Sequence, residues 1–168
     1  QEGTKHEVEY NFDLLKVLEI GDVSQELYMP LKQESDEFVA DFLMRLGVGQ
    51  KDRLVAVNPA ASCPSKLWPV QKFAGLIDRI QKELGIKVMV VADAAHRSVS
   101  EQIFNLVRTH PLDGSGQFSL SRLASLFKRC DLLISNDSGP VHIAVAVGTP
   151  VISIFGRNQA GLSPRRWG

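Results

Sequence analysis

The segment that decides the fold, residues 132–150, reads LLISNDSGPVHIAVAVGTP. An apolar run ends in polar residues, and a Gly-Pro pair then opens a second apolar stretch. Gly139 allows the backbone to turn, and Pro140 suits the first position of a helix because its missing N–H is not needed there. The pattern predicts a buried strand whose carboxyl end leads directly into a helix.

The same alternation extends through most of the chain. Short apolar runs predict strands at residues 54–58, 88–92, 132–135 and 151–155, with a weaker strand near Leu112. Amphipathic stretches between them predict helices at residues 69–84, 98–109 and 120–130, the last capped by Ser119. Strands that alternate with helices form βαβ units, so we expect an α/β fold with a Rossmann-like parallel sheet flanked by helices.

The first fifty residues follow a different pattern. Apolar residues recur at helical spacing in two stretches, one at Val8, Phe12, Leu15 and Leu18 and one at Phe38, Phe42, Leu43 and Leu46. We therefore expect residues 1–50 to be a mostly helical lead-in and residues 51–168 to form the α/β domain.

The composition indicates ordinary globular material. The chain has 168 residues, of which 44% are hydrophobic, and its 19 basic residues balance 19 acidic ones. Such a length corresponds to about one domain. A net charge of zero provides no field that attracts nucleic acid or an acidic membrane, so we expect no nucleic-acid partner and, at most, peripheral contact with a membrane.

Residues 138–155 carry no formal charge and are long enough to be considered as a membrane span. Gly148, Thr149 and Pro150 interrupt the apolar run, and β-branched residues follow, which favours a short buried helix and then a buried strand. Cys63 and Cys130 match no zinc or redox spacing, which indicates buried, reduced thiols in a cytosolic protein.

The carboxyl ends of the predicted strands locate a candidate site, because parallel sheets bind ligands beyond those ends. Asp137, Ser138 and Gly139 precede a helix whose free N–H groups and dipole favour an anion such as a phosphate. His142 lies one turn inside and can face the same anion. The alternative explanation of this segment is a buried aspartate cap with a core histidine.

A second element with affinity for anions follows the first strand. Ser62 offers a hydroxyl and Lys66 a positive charge to a phosphate at the same edge of the sheet. A lysine taken alone is more often a solvated surface residue. Together with the helix start at residues 137–142, it favours a phosphate site.

Four segments resemble the lipopolysaccharide heptosyltransferases of glycosyltransferase family 9: NPAAS (58–62), KLWPVQKFA (66–74), NDSGPVHIA (136–144) and GTPVISIFG (148–156). The resemblance implies a GT-B architecture of two Rossmann-like domains, of which this chain is similar to the carboxyl-terminal, donor-binding one. It implies that Ser62 and Lys66 contact the donor phosphates, that Asp137, Ser138 and Gly139 line the sugar and diphosphate, and that His142 faces the phosphate.

The resemblance also implies the reaction: inverting, metal-independent transfer from ADP-heptose to the lipopolysaccharide inner core, without a cofactor. No Asp-x-Asp motif, which would suggest a metal bridging the diphosphate, occurs in the sequence. We expect the catalytic base in an amino-terminal domain that this chain lacks, and we expect the final helices of the carboxyl-terminal domain to be truncated. The implied location is the cytoplasm, at the periphery of the inner membrane of a Gram-negative bacterium.

Two departures from the family pattern leave alternatives open. Residues 92–96 read ADAAH where members have a glycine pair and an acidic residue, so Asp93 and His96 are only candidates for contacting the base or ribose. Asp22 comes directly after a glycine, as the family's catalytic aspartate does. The pair lies behind a helical pattern rather than a strand, however, which argues against Asp22 as the catalytic base. Two alternatives to a heptosyltransferase stay open. One is a non-catalytic nucleotide-binding module, and the other is a GT-B transferase or epimerase that uses another nucleotide sugar.

Overall fold

A computed structural model of the chain describes residues 5–21, 24, 26–157 and 164. Its helices are α1 (Glu7–Val17), α2 (Gln33–Arg45), α3 (Val70–Leu84), α4 (Arg97–Leu106), α5 (Leu120–Arg129) and α6 (Gly139–Ala146). Its strands are β1 (Leu54–Asn58), β2 (Lys87–Val90), β3 (Leu112–Asp113), β4 (Leu132–Asn136) and β5 (Val151–Ile154). Short 3₁₀ turns at Pro64–Lys66 and Ala94–His96 follow β1 and β2.

The five strands form one parallel sheet in the order β3-β2-β1-β4-β5. The chain builds outward from β1 to β3, returns to the other side of β1 as β4, and then adds β5. The direction of winding therefore reverses between β1 and β4, which is where Rossmann-like sheets bind ligands. The predicted α/β fold with a parallel sheet is confirmed.

Side chains of the central strand point alternately to two apolar layers. Leu54 and Ala56 face a cluster that includes buried residues of α2, α5 and α6. Val55 and Val57 face a second cluster, which includes buried residues of α3 and α4. Helices thus cover both faces of the sheet, and α3 and α6 lie on opposite faces.

The two helices of the predicted lead-in differ in burial. No residue of α1 is buried. In α2, Val39 and Leu43 belong to the same apolar cluster as Leu54 and Phe127, so this helix shares the core of the α/β domain. The division of the chain at residue 50 stays a prediction.

Several predicted boundaries shift for local reasons. Pro69 is the cap of α3 rather than its first residue, and Gly139 precedes Pro140 inside α6. The helix predicted at residues 98–109 begins at Arg97 and ends at Leu106, after a 3₁₀ turn that the Asp93 side chain caps.

The uncharged segment at residues 138–155 forms α6 and then β5, as its pattern predicts. The strand is less buried than predicted: Ile152 is 52% exposed, because β5 is the outermost strand of the sheet in the described part of the chain. Cys63 is likewise only half-buried, whereas Cys130 is buried as predicted. Among the described residues, no helix combines the length and the apolar character needed to cross a membrane.

Truncation of Leu43 in α2 tests whether that helix belongs to the domain core. Leu43 is 3% exposed and its neighbour Met44 is 67% exposed. We expect Leu43→Ala to lower the free energy of unfolding by about 2–5 kcal/mol, because it removes buried apolar surface and leaves a cavity. Met44→Ala is the matched control and should change it by less than about 1 kcal/mol. Urea denaturation measures both, and equal effects would show that α2 does not share the core.

Candidate active site

A cleft of about 660 Å³ opens at the carboxyl ends of β1, β2 and β4. Most of its polar lining comes from the loops that follow β1 and β4, the two strands at which the winding reverses. All eight site residues that the sequence suggests line this cleft: Ser62, Lys66, Asp93, His96, Asp137, Ser138, Gly139 and His142. The structure therefore brings together residues that lie up to 80 positions apart in the sequence.

The loop after β1 carries Ser62 and Lys66. Its 3₁₀ turn, Pro64–Lys66, is closed by backbone hydrogen bonds from Lys66 N to Cys63 O (3.1 Å) and from Leu67 N to Pro64 O (3.1 Å). The turn lies against Gly156, just after β5, where an added Cβ would overlap the carbonyl oxygen of Ser65. Glycine at position 156 is thus required for the loop to approach the end of the sheet so closely.

Lys66 and Asp137 form an ion pair across the cleft. The Lys66 Nζ atom lies 2.8 Å from Asp137 Oδ2, and the two side chains are 20% and 9% exposed. Sequence reasoning places both residues at one phosphate site but does not predict that they contact each other. The ammonium group has three N–H donors, so a lysine that binds Asp137 retains donors for a ligand oxygen. Removing either partner alone leaves a poorly solvated charge without its counter-ion.

The start of α6 offers fewer N–H donors than predicted. Pro140 has no N–H, and the Val141 N–H donates to Ser138 O at 3.0 Å. In the described part of the chain, the Gly139 N–H has no assigned acceptor, and a Cβ added at Gly139 would meet no atom within 4 Å. An anion at this helix start would therefore interact with the Gly139 N–H and the helix dipole, through the open space in front of them.

Two buried asparagines, which sequence reasoning leaves without a role, connect the two loops. Asn58 ends β1, and its Nδ2 donates to Ser138 Oγ of the other loop (3.0 Å). Asn136 ends β4, and its Nδ2 donates to Pro59 O, while its Oδ1 accepts from Trp68 N at 3.0 Å. Their positions in the sequence could have predicted such contacts, because a buried polar residue at the end of a strand needs hydrogen-bond partners, which a neighbouring loop can supply.

The turn after β2 forms another side of the cleft. His96 Nδ1 lies 2.7 Å from Asp93 Oδ1, and the His96 N–H donates to the same oxygen at 2.9 Å. Partial burial raises the pKa of Asp93, but the hydrogen bonds from the His96 side chain and backbone outweigh it, so this pKa lies below its ordinary value. Asp93 is therefore an anionic acceptor at neutral pH and can accept a hydrogen bond from a hydroxyl group.

An apolar wall completes the cleft, and sequence reasoning did not identify it. It is formed by Val91, Phe118, Leu120, Leu123 and Ile143. The Phe118 ring packs edge-on against Phe42 of α2, with 5.2 Å between the ring centroids. The cleft thus has a polar part around the ion pair and an apolar part around Phe118.

Two further suggestions from the sequence concern an alternative catalytic base and a metal ion. Asp22 lies outside the described residues. Within those residues, no group of three or more histidine, cysteine, aspartate or glutamate side chains is arranged to hold a metal ion.

Comparison with known proteins adds an independent line of evidence. Residues 1–165 match the family model of glycosyltransferase family 9 (heptosyltransferase). The chain is 33% identical over 154 residues to lipopolysaccharide heptosyltransferase 3 of Escherichia coli K12, and the aligned region covers 90% of this chain and 44% of that protein. It is 30% identical over 129 residues to the lipopolysaccharide core heptosyltransferase OpsX of Haemophilus influenzae, covering 76% of this chain and 35% of that protein.

Solved structures agree with the sequence comparison. A glycosyl transferase of family 9 from Veillonella parvula superposes with a TM-score of 0.88 and 26% identity, over 98% of this chain and 48% of that one. The E. coli ADP-heptose lps heptosyltransferase II shares the fold, with a TM-score of 0.68 and 19% identity, over 86% of this chain and 46% of that one. The chain thus spans less than half the length of the relatives it matches. Since the family match extends over nearly the whole sequence, the resemblance predicted from the sequence is confirmed, and the chain belongs to glycosyltransferase family 9.

Proposed function

We propose that this chain is the donor-binding part of a heptosyltransferase that transfers heptose from ADP-heptose to the lipopolysaccharide inner core. The observation that carries the proposal is the ion pair of Lys66 with Asp137 beside the start of α6, in a cleft at the reversal point of the sheet. Lysine and a helix N-terminus are typical partners of a diphosphate. We infer the sugar and the acceptor from the names of relatives in the family, which are lipopolysaccharide heptosyltransferases.

The diphosphate of the donor would lie between the two loops. Lys66 and the Ser62 hydroxyl would contact it from the β1 loop, and His142 would face it from the first turn of α6. Asp137, Ser138 and Gly139 would line the sugar and the phosphate attached to it. Because Gly139 leaves open space in front of α6, the phosphate can approach the helix closely.

The nucleoside would lie toward the apolar wall. A planar base buries its faces well against side chains such as Phe118 and Ile143, which line the cleft. Asp93 and His96 would contact the ribose or the edge of the base. The unusual turn at Asp93 is also the observation that favours the second candidate function, a GT-B transferase or epimerase that uses another nucleotide sugar.

In the transfer reaction, negative charge gathers on the leaving phosphate while the sugar acquires oxocarbenium character. A positive group that is already in place stabilises that charge without reorganising at the moment of reaction. Lys66 and the dipole of α6 would serve this role. We propose inverting, metal-independent transfer, in which a carboxylate of an amino-terminal domain deprotonates the acceptor hydroxyl.

The proposal places the chain within a two-domain GT-B enzyme. Residues 1–50 would be the region between the domains, and residues 51–168 the nucleotide-sugar-binding domain. Full-length relatives act on lipopolysaccharide according to their names, so we propose a cytoplasmic enzyme at the periphery of the inner membrane. On its own, the chain is expected to bind nucleotide and to transfer little sugar.

Removing the Lys66 ammonium group should weaken nucleotide binding. We expect Lys66→Ala to reduce the affinity for ADP at least tenfold in calorimetry, because the diphosphate loses its cationic partner. Lys82→Ala, in the last turn of α3 and outside the cleft, is the control and should change the affinity less than twofold.

A second variant separates two causes of that loss, because Lys66→Ala also leaves Asp137 unpaired near the ligand. In Lys66→Ala/Asp137→Asn both charges of the pair are removed, and we expect ADP binding to remain at least fivefold weaker than in the parent. Restored affinity in the double variant would mean that Lys66 only neutralises Asp137 and does not hold the diphosphate.

Nucleotide preference distinguishes the proposed donor from that of the second candidate function. At equal concentrations, ADP should raise the melting temperature more than UDP or GDP, because the ligand with the lower dissociation constant stabilises the folded state more. Asp93→Ala should reduce the shift with ADP, whereas Asp41→Ala on the exposed side of α2 should leave it unchanged. A larger shift with UDP or GDP would contradict an ADP-sugar donor and favour the second candidate.

A further inference from the structure

The buried side chain of Asn136 holds both ends of the loop that carries Lys66. Its Nδ2 donates to Pro59 O at 2.6 Å, at the beginning of the loop. Its Oδ1 accepts from Trp68 N at 3.0 Å, where the loop ends and α3 is about to begin. One side chain of β4 therefore joins two backbone positions nine residues apart in a different βα unit.

The amide is chemically suited to this task. It presents an N–H donor group and a carbonyl acceptor in a single plane, which matches the carbonyl of Pro59 and the N–H of Trp68. A carboxylate would offer acceptors only and would face the Pro59 carbonyl oxygen without a hydrogen. An apolar residue would leave a buried carbonyl and a partly buried N–H without a partner.

The residues around this contact are those of the ligand site. Lys66 and Ser62 lie inside the tied loop, and Asp137, the partner of Lys66, directly follows Asn136. We infer that Asn136 is a positioning residue, which fixes the loop of residues 59–68 so that Lys66 is held beside Asp137 at the cleft. As far as it concerns nucleotide affinity, this inference rests on the proposed function.

The two cysteines of the chain provide a readout that needs no nucleotide. Cys63 is half-buried in the middle of the tied loop, and the Ser65 hydroxyl, by hydrogen bonding, lowers the pKa of its thiol. Cys130 is buried at the end of α5, and burial raises the pKa of its thiol to about 12. Reaction with a thiol reagent therefore reports on the loop at Cys63, whereas Cys130 reacts only when the core opens.

The experiment compares Asn136→Ala with Thr149→Val under native conditions. Thr149 is a matched control, because its buried hydroxyl also donates to a backbone carbonyl, that of Phe127, but at the amino end of β5 and away from the cleft. For Asn136→Ala we expect Cys63 to react with Ellman's reagent at least fivefold faster, with little change at Cys130, and ADP affinity to fall at least tenfold. Thr149→Val should leave the Cys63 rate and the ADP affinity within twofold of the parent.

Asn136→Asp is the second variant, in case truncation prevents folding. It keeps the size of the side chain and the acceptor for Trp68 but loses the donor to Pro59, so Cys63 should again react faster than in the parent. An unchanged Cys63 rate in the folded variants would overturn the inference. Equal acceleration at Cys63 and Cys130 would also overturn it, because it would reveal general destabilisation.

The two readouts also separate this inference from the proposed function. If the parent does not bind ADP but Asn136→Ala still accelerates Cys63 alone, the nucleotide assignment fails and the positioning role stands. If the parent binds ADP and the variant binds it equally well with a normal Cys63 rate, the positioning role fails and the nucleotide assignment stands.

Discussion

β1 and β4 are hydrogen-bonded parallel neighbours, with Asn58 of one strand opposite Ser135 of the other. After these strands, the chain proceeds to helices on opposite faces of the sheet, because α3 packs on one apolar layer and α6 on the other. The loops must therefore separate beyond the strand ends, and a cleft opens between them. This divergence determines where the remaining features of the site lie: Lys66 is on one loop, Asp137 is on the other, and the start of α6 is beside them.

Two diverging loops would not by themselves hold the charged groups of Lys66 and Asp137 at a fixed distance from each other. The asparagines that end the two strands supply the missing connection, since Asn58 contacts Ser138 on the loop after β4 and Asn136 contacts both ends of the loop after β1. Satisfied polar contacts of this kind rigidify their surroundings, while unsatisfied ones are costly. The ion pair of Lys66 and Asp137 thus lies between loops that are tied in the absence of a ligand, which is what the proposed stabilisation of a leaving phosphate requires.

Local patterns in the sequence predict most of the secondary structure, because apolar periodicity and turn residues are local signals. The strand at Leu132, the helix after Gly139 and the shared edge of Lys66 and Asp137 all follow from such patterns and from the rule for parallel sheets. Contacts between loops do not follow from them. The direct ion pair, the asparagine ties and the apolar wall around Phe118 depend on which strands are neighbours, and that order is a property of the whole sheet.

Two further differences have equally specific causes. β5 is half-exposed because it is the outermost strand among the described residues, and an apolar strand pattern does not distinguish an edge strand from a central one. The start of α6 has fewer free N–H groups than a generic helix, because Pro140 lacks one and Ser138 O accepts another. The proposed anion site thus depends more on Lys66 than the helix-start motif alone suggests.

A crystal structure of the chain with bound ADP would show directly whether the cleft is the nucleotide site. We expect the diphosphate to lie between the loops after β1 and β4, with Lys66 Nζ donating to a phosphate oxygen and the start of α6 facing the same group. ADP bound at another surface, with the ion pair of Lys66 and Asp137 intact in a cleft without nucleotide, would contradict it.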